Sequence, residues 1–182
     1  MAKLIAKTYG EALFETALDT GKVDGLFEET EAVGRVLSEN PELVRLINHP
    51  NILKEEKLQV VENVFADRLS PEMMGFLRIV IEKGRQSELE AIFSYFIAKV
   101  KEYKKIGLAH VTSAVELSDA QKKQIEARLL ATTVYESLET EYTVDESLIG
   151  GLVIRIGDRV VDSSIKTRLY EMKKELMKIQ LS

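Results

Sequence analysis

The segment Ser163-Ser164-Ile165-Lys166 has residue types and a spacing that could support nucleophilic chemistry. The four-residue Ser-x-x-Lys pattern is the signature of serine acyl-transfer enzymes. The companion motifs of those enzymes are absent, and the chain is short for their fold. A serine just before an apolar periodic segment is also a common helix N-cap. We therefore predict that Ser163 or Ser164 caps a helix.

A second candidate is the glycine group formed by Gly150, Gly151 and Gly157. Its spacing differs from the dinucleotide-binding fingerprint, and no Gly-Lys-Ser/Thr follows as a P-loop requires. Glycine pairs inside a strand pattern often mark a bulge or a close backbone approach. We predict a bulge or a close backbone approach at Gly150-Gly151, and a tight hairpin turn at Gly157-Asp158 with glycine first.

The remaining side chains give little material for a metal centre or a catalytic triad. The chain has no cysteine, and its two histidines, His49 and His110, lie far apart in sequence. Asp158 and Asp162 are close, but a turn aspartate and a strand-end aspartate explain them. The sequence therefore predicts no catalytic residue, no metal ligand set, no cofactor and no small-molecule substrate.

Composition narrows the classes of partner. The 182 residues are 45% hydrophobic and 30% charged, which is enough apolar material for cores of ordinary size. The formal net charge of −5 gives no general attraction to nucleic acid or anionic lipid. No export signal is visible, and the apolar run 148–154 is too short to span a bilayer. We expect protein partners, no nucleic acid and no membrane insertion.

Residues 1–105 follow a helical period interrupted by regularly spaced breakers. The breakers predict six helices, near residues 3–20, 24–39, 41–48, 54–67, 71–83 and 86–105. Asn40 and Ser70 each precede a proline and are predicted N-caps, whereas Gly21 and Gly84 are predicted C-caps.

After Gly107 the period changes. A strand is predicted over 108–115, then a capping box at Ser118 that opens a helix to about 131. Alternation of Leu138, Thr140, Tyr142 and Val144 predicts a half-buried strand, and strands over 150–156 and 159–162 precede a terminal helix. The predicted class is α+β, with a six-helix bundle over 1–105 and a small mixed α/β domain over 106–182.

Two surfaces carry more apolar side chains than one helix face can bury. The first and fifth predicted helices are apolar over neighbouring rows or almost all round. The terminal helix carries a short heptad seam, too short for a coiled coil alone but suited to packing on one; it consists of Ile165, Leu169, Met172, Leu176 and Ile179. Such a surplus is either core or docking surface, and the residues by themselves indicate a two-domain adaptor.

Three segments resemble a known family. Residues 144–158, Val-Asp-Glu-Ser-Leu-Ile-Gly-Gly-Leu-Val-Ile-Arg-Ile-Gly-Asp, are similar to the signature of the delta subunit of bacterial F-type ATP synthase, known in mitochondria as the oligomycin-sensitivity-conferring protein. The similarity continues through Val161-Asp162-x-Ser164-Ile165. Residues 9–15 resemble the family's first helix, and Lys83-Gly84-Arg85 its fifth-to-sixth helix junction.

The resemblance implies a non-catalytic stator subunit that links the catalytic head to the b subunits, so that proton-driven rotation is coupled to ATP synthesis. It implies a peripheral location on the cytoplasmic face of the bacterial membrane. The helical domain would bind the N-terminal helix of an alpha subunit between its first and fifth helices, and the second domain the C-terminal region of the b-subunit dimer.

The resemblance also assigns residues to these contacts. The expected alpha-subunit contacts are Tyr9, Leu13, Ala17, Phe76, Leu77, Val80 and Ile81. Ala6 and Gly10 would allow close approach, although Gly10 stands where the family pattern usually has alanine and should slightly weaken the helix. The expected b-subunit contacts are Leu169, Met172, Leu176 and Ile179.

Two other readings stay open at this stage. A small enzyme or nucleotide-binding protein would use Gly150, Gly151 and the Ser163-x-x-Lys166 pattern, and ATP would then raise its thermal stability. A regulatory helical adaptor unrelated to the synthase would show no association with membranes that carry ATPase activity.

Overall fold

The computed structural model describes residues 2–65 and 68–179, with side chains described for 3–65 and 68–177. The chain divides into two compact units, Met1–Lys101 and Glu102–Ser182. We call them unit 1 and unit 2. The division falls slightly before residue 105, where the sequence places the domain boundary.

The described part of unit 1 is helical. Its elements are α1 (Ala2–Asp19), α2 (Val23–Glu39), α3 (Pro41–Asn48), α4 (Lys54–Phe65), α5 (Pro71–Glu82), a short 3-10 turn (Gln86–Glu88) and α6 (Leu89–Tyr103), which runs on into unit 2. Residues 66 and 67, predicted as the end of the fourth helix, lie outside the described residues. The last helix of this series begins as a 3-10 turn at Gln86 and becomes α-helical only at Leu89.

Three of the four predicted helix caps are present in the structure, and one prediction is wrong. Ser70 caps α5, because its Oγ accepts a hydrogen bond from the Met73 amide at 3.3 Å. Gly21 and Gly84 adopt positive φ of 64° and 67° after α1 and α5, as C-caps require. The prediction for Asn40 is wrong: its Nδ2 donates to the Val36 carbonyl at 2.8 Å, so its side chain closes α2 and does not cap α3.

The core of unit 1 draws on α1 to α6. Its fully buried large side chains include Leu13, Leu26, Val33, Met73, Val80, Ile81, Ile92, Phe96 and Val100. On α6 the buried side chains Leu89, Ile92, Phe93, Phe96 and Val100 lie on one face of the helix. Hydrophobic burial on one face of each helix therefore holds this unit together.

Unit 2 contains a four-stranded mixed sheet within its described residues. The strands are β1 (Ile106–Ser113), β2 (Ser137–Val144), β3 (Leu152–Ile156) and β4 (Arg159–Asp162), in the order β2-β1-β3-β4. β1 is parallel to β2 and antiparallel to β3, and β3 is antiparallel to β4. The parallel pair needs a crossover, which α7 (Asp119–Thr132) supplies. The predicted α+β class is confirmed.

Local signals in unit 2 explain where its elements start. The capping box is present: Ser118 Oγ accepts from the Gln121 amide, and the Ser118 amide donates to Gln121 Oε1 at 2.9 Å. α7 lies against β2, and a hydrogen bond joins the two elements: Tyr142 Oη on β2 donates to Glu126 Oε1 on α7 at 3.0 Å. Burial, reinforced by the Glu126 carboxylate, raises the pKa of Tyr142 to about 12.

Three strand predictions need adjustment. β1 covers Ile106–Ser113, two residues earlier at each end than the predicted 108–115. β2 is half-buried at Leu138, Thr140 and Tyr142, as its alternation predicts, but Val144 at its end is exposed. β3 starts at Leu152, because the Gly150-Gly151 pair lies in a bend before the strand. The hairpin from β3 to β4 turns at Gly157-Asp158 with Gly157 at φ 54°, as the glycine-first pattern predicts.

Gly10 of α1 packs against α6 of the same chain, a helix that the sequence did not identify as its neighbour. An added Cβ there would lie 2.5 Å from Tyr95 Cδ1 and 3.3 Å from the Ile92 carbonyl oxygen, both on α6. We expect Gly10→Ala to lower the free energy of unfolding by about 1 kcal/mol, because a clash of about 1–3 kcal/mol exceeds the gain in helix propensity. Urea denaturation of the full chain measures this difference.

The matched control is Gly75→Ala on α5, where an added Cβ meets no atom within 4 Å. It should raise the free energy of unfolding by about 0.5–1 kcal/mol. A Gly10→Ala protein more stable than the parent would show that the Tyr95 ring moves aside without cost.

Candidate partner-binding surfaces

The Ser163-x-x-Lys166 pattern forms the start of the terminal helix α8 (Ile165–Ile179). Ser163 Oγ donates to the Leu152 carbonyl at 2.9 Å, and Ser164 Oγ accepts from the Thr167 amide at 3.2 Å. Lys166 Nζ donates to Ser147 Oγ at 3.1 Å. Each hydroxyl therefore has a structural partner, and Ser164 is the helix cap that the sequence predicts.

Asp162 fixes the same turn from the end of β4. Its Oδ1 accepts from the Ser164 amide at 2.8 Å, and its Oδ2 accepts from Thr167 Oγ1 at 2.7 Å. These hydrogen bonds, first those from Ser164 and then that from Thr167, hold the pKa of Asp162 below its ordinary value. We call Asp162, Ser164 and Thr167 the α8 latch.

The glycine pair lies directly beneath this latch. Gly151 has φ 78°, and an added Cβ would collide with the Ser163 carbonyl oxygen. At Gly150 an added Cβ would lie 2.6 Å from Ile165 Cδ1. The Gly150 carbonyl accepts from the Ile165 amide at 2.9 Å. The pair is therefore a close backbone approach for α8, which is one of the two alternatives that the sequence predicts.

The histidines occupy ordinary polar positions. His49 Nδ1 accepts from the Asn51 amide at 3.2 Å, and His110 Nδ1 lies 3.0 Å from Glu141 Oε2 on the exposed face of the sheet. Within residues 2–65 and 68–179, no cluster of His, Cys, Asp or Glu has the composition of a metal site. The same residues include no helix with the length and apolar character needed to cross a bilayer.

The residues expected to bind the alpha subunit fall into two groups. Leu13 and Ala17 of α1 and Leu77, Val80 and Ile81 of α5 are buried in the core of unit 1. Tyr9 and Phe76 are partly exposed and pack against that core. Most of the residues expected to bind the alpha subunit are thus buried inside unit 1. Tyr9 and Phe76 are the members of this set with surface exposed to a partner.

The two close-approach residues are also buried within the chain. Ala6 belongs to the core, and the helix that approaches Gly10 is α6 of the same chain. Their small size is therefore used in internal packing.

A cavity in the described part of unit 1 lies elsewhere. It has a volume of about 530 Å³ and is open to solvent between α2, α3 and α6. Its apolar lining comes from Leu37, Val44, Ile47, Leu89, Phe93 and Ile97.

The seam on α8 is exposed. Leu169, Met172 and Leu176 are 52%, 59% and 64% exposed, and Ile165 at the start of the helix is 44% exposed. The spacing of three and four places them on one face. The side chain of Ile179 lies outside the described residues. We call Ile165, Leu169, Met172 and Leu176 the α8 stripe.

Two exposed apolar residues were missed as site candidates. Ile79 on α5 is exposed, one helical turn from Phe76. Ile149, next to Gly150, is exposed and has φ 67°, a conformation that β-branched residues rarely adopt. The apolar fifth helix gave a signal for Ile79, but no sequence pattern indicated the conformation of Ile149.

The fold and these surfaces define a class of protein. A helical unit is followed by a small α+β unit whose last helix presents an uncovered apolar stripe, which is the design of a subunit that binds other protein chains. The family model described as ATP synthase delta (OSCP) subunit matches residues 5–176, and the chain belongs to this family. It is a non-catalytic stator subunit of the F-type ATP synthase.

The relatives agree along the whole length. The chain is 56% identical over 181 residues to ATP synthase subunit delta of Lachnoclostridium phytofermentans, covering 100% of both chains. It is 33% identical to ATP synthase subunit delta of Desulforamulus reducens, over 95% of each chain. A chain of the Toxoplasma gondii mitochondrial ATP synthase hexamer has the same fold, with a TM-score of 0.69, 21% identity and coverage of 94% and 97%.

The α8 latch predicts an acid-sensitive stability. Because the folded-state pKa of Asp162 is below its unfolded value, its contribution is complete above the unfolded pKa, about 3.9, and is lost as pH falls through the folded pKa. Asp162→Asn should therefore lower the unfolding temperature at pH 7, and the difference from the parent should shrink below about pH 4.

Thermal unfolding of both proteins between pH 2.5 and 7 measures this effect. Asp158→Asn, which removes a carboxylate from the adjacent hairpin turn, is the matched control. Parallel profiles for the parent and Asp162→Asn would exclude the latch as the source.

Proposed function

We propose that unit 1 binds the N-terminal helix of an alpha subunit and that unit 2 binds the C-terminal region of the b-subunit dimer. The protein would act at the cytoplasmic face of the bacterial membrane as a peripheral subunit. Membership of the family supports this placement within the synthase. The observation that carries the b-subunit contact is the α8 stripe, a row of exposed apolar side chains on one face of the terminal helix.

The stripe suits a helical partner. Three of its side chains follow each other at heptad spacing on one face of a 15-residue helix, and each is more than half exposed. Burial of a leucine side chain contributes about 1.5–3 kcal/mol. A pair of long helices, as in a b-subunit dimer, offers the matching groove.

The alpha-subunit contact rests on Tyr9 of α1 and Phe76 of α5. Both are aromatic, partly exposed and supported from beneath by the core, as interface hot spots commonly are. The other expected residues would contribute indirectly, because their packing in the core fixes the positions of α1 and α5; they are Leu13, Ala17, Leu77, Val80 and Ile81. An aspartate at Leu13 or Val80 would place a charge in the core and unfold unit 1, so neither substitution tests docking.

Tyr9→Ala and Phe76→Ala should each weaken binding of a peptide with the sequence of the alpha-subunit N-terminal helix by about tenfold or more, because each removes aromatic contact area. Isothermal titration of the full chain measures the affinity, with ATP as a control ligand that should not bind. A negative heat-capacity change would mark burial of apolar surface.

Leu53→Ala is the matched control for this titration, since Leu53 is exposed and lies outside α1 and α5. Normal binding by both aromatic variants would exclude the α1–α5 surface and favour the cavity between α2, α3 and α6. A folded parent protein that binds no peptide would exclude the alpha-subunit contact.

Leu169→Ser and Leu176→Ser should each weaken binding to the soluble C-terminal part of the b subunit by about tenfold, with no loss of stability because both side chains are exposed. Surface plasmon resonance and circular dichroism measure the two effects. The control is Tyr170→Ser, whose side chain is exposed on another face of α8. Equal effects of all three substitutions would contradict a specific stripe.

A further inference from the structure

The second feature beside α8 is a strained isoleucine. Among the described residues other than glycine, positive φ occurs at Lys105 and Ile149. Ile149 has φ 67° and ψ −35° and is 64% exposed. A β-branched residue is disfavoured in this region because its Cβ substituents crowd the backbone, and glycine would fit without strain.

The surrounding contacts hold Ile149 in this conformation. The Ile149 amide donates to the Glu146 carbonyl at 3.0 Å, which closes the 3-10 turn Glu146–Leu148. The preceding residue, Leu148, is buried. The carbonyl of the following residue, Gly150, accepts a hydrogen bond from the Ile165 amide. The chain on both sides is therefore fixed, and the isoleucine side chain is left in solvent.

Ile149 is one residue away from the backbone that contacts the start of the α8 stripe. Gly150, the next residue, lies under the side chain of Ile165, the first member of the stripe. The same turn contacts α8 through the Lys166–Ser147 hydrogen bond. An exposed apolar side chain kept in a strained backbone beside an exposed apolar stripe gains nothing for folding, so a partner must account for it.

The charge around the stripe limits the kind of partner. The described α8 side chains include Lys166, Arg168, Lys173 and Lys174 against Glu171 and Glu175, so this helix is basic in a chain whose formal net charge is −5. Lys166 and Lys173 lie along one side of the stripe, seven residues apart. A helix with acidic residues beside its apolar seam complements this pattern.

We propose that Ile149 and the α8 stripe form one docking surface, and that its occupant is an amphipathic helix whose apolar seam is flanked by Asp or Glu. This inference rests on the proposed function, because it describes how the b-subunit contact is made. Ile149 anchors the end of the partner helix near the start of α8, and the basic side chains set its direction and register.

The test is titration of the full-length chain with the soluble C-terminal part of the b subunit from the same synthase. Ile149→Gly should weaken binding by about tenfold or more, since a side chain that the complex buries is removed. The unfolding temperature of the free protein should not fall, because glycine adopts φ 67° without strain. Val134→Gly, which removes an exposed valine in unit 2, should leave the affinity unchanged.

A second variant tests the charge of the partner. Lys173→Glu should weaken binding by about threefold or more at low salt, and the difference should narrow at high salt.

The outcomes separate the two proposals. If the parent binds but Ile149→Gly binds equally well, the docking surface ends at α8 and this inference is overturned while the b-subunit contact stands. An unchanged affinity of Lys173→Glu would overturn the acidic-flanked partner. If the parent protein does not bind, the b-subunit contact is wrong and the surface fails with it.

Discussion

The orientation of α8 depends on hydrogen bonds made within one turn of chain. The Asp162 carboxylate accepts from the Ser164 amide and from the Thr167 hydroxyl. The Ser164 hydroxyl caps the helix by accepting from the Thr167 amide. These bonds need the backbone of Gly151 to approach Ser163, which a side chain at residue 151 would prevent. Because the helix is fixed at its first turn, its later turns can remain uncovered and offer an apolar stripe. A helix that lies mostly in solvent needs such a cap, since its own tertiary packing is small.

Unit 1 uses its apolar residues differently. One apolar face of α1 and one of α5 are buried among neighbouring helices, and Gly10 allows α6 to pack closely on α1. Tyr95 reinforces that contact by donating from its hydroxyl to Glu11 at 3.0 Å. What remains for a partner is the partly exposed set, which includes Tyr9 and Phe76. The proposed contact on unit 1 is therefore a few aromatic side chains on a rigid base.

A stator subunit resists torque without chemistry, so its requirement is slow dissociation. A nanomolar complex corresponds to about −12 kcal/mol, and several buried apolar side chains supply energy of this size. In the proposed arrangement, the α8 stripe and Ile149 provide it on unit 2. Both are exposed to solvent before assembly. The basic side chains of α8 help to keep this exposed apolar surface soluble.

Periodicity, capping residues and turn glycines were sufficient to predict the helices and the hairpin at Gly157-Asp158, because each depends on residues near in sequence. They narrowed the cap of the terminal helix to Ser163 or Ser164, and the glycine pair to a bulge or a close backbone approach. The family, too, followed from residues 144–158. Tertiary structure decided which apolar residues are covered: Leu13 and Val80 look no different in sequence from Leu169, yet the first two are core and the third is exposed. It also decided the strain at Ile149 and the fit of Tyr95 over Gly10. Burial is a sum over elements distant in sequence, whereas caps and turns are local, and this is why the sequence determined the elements but only the fold determined the surfaces.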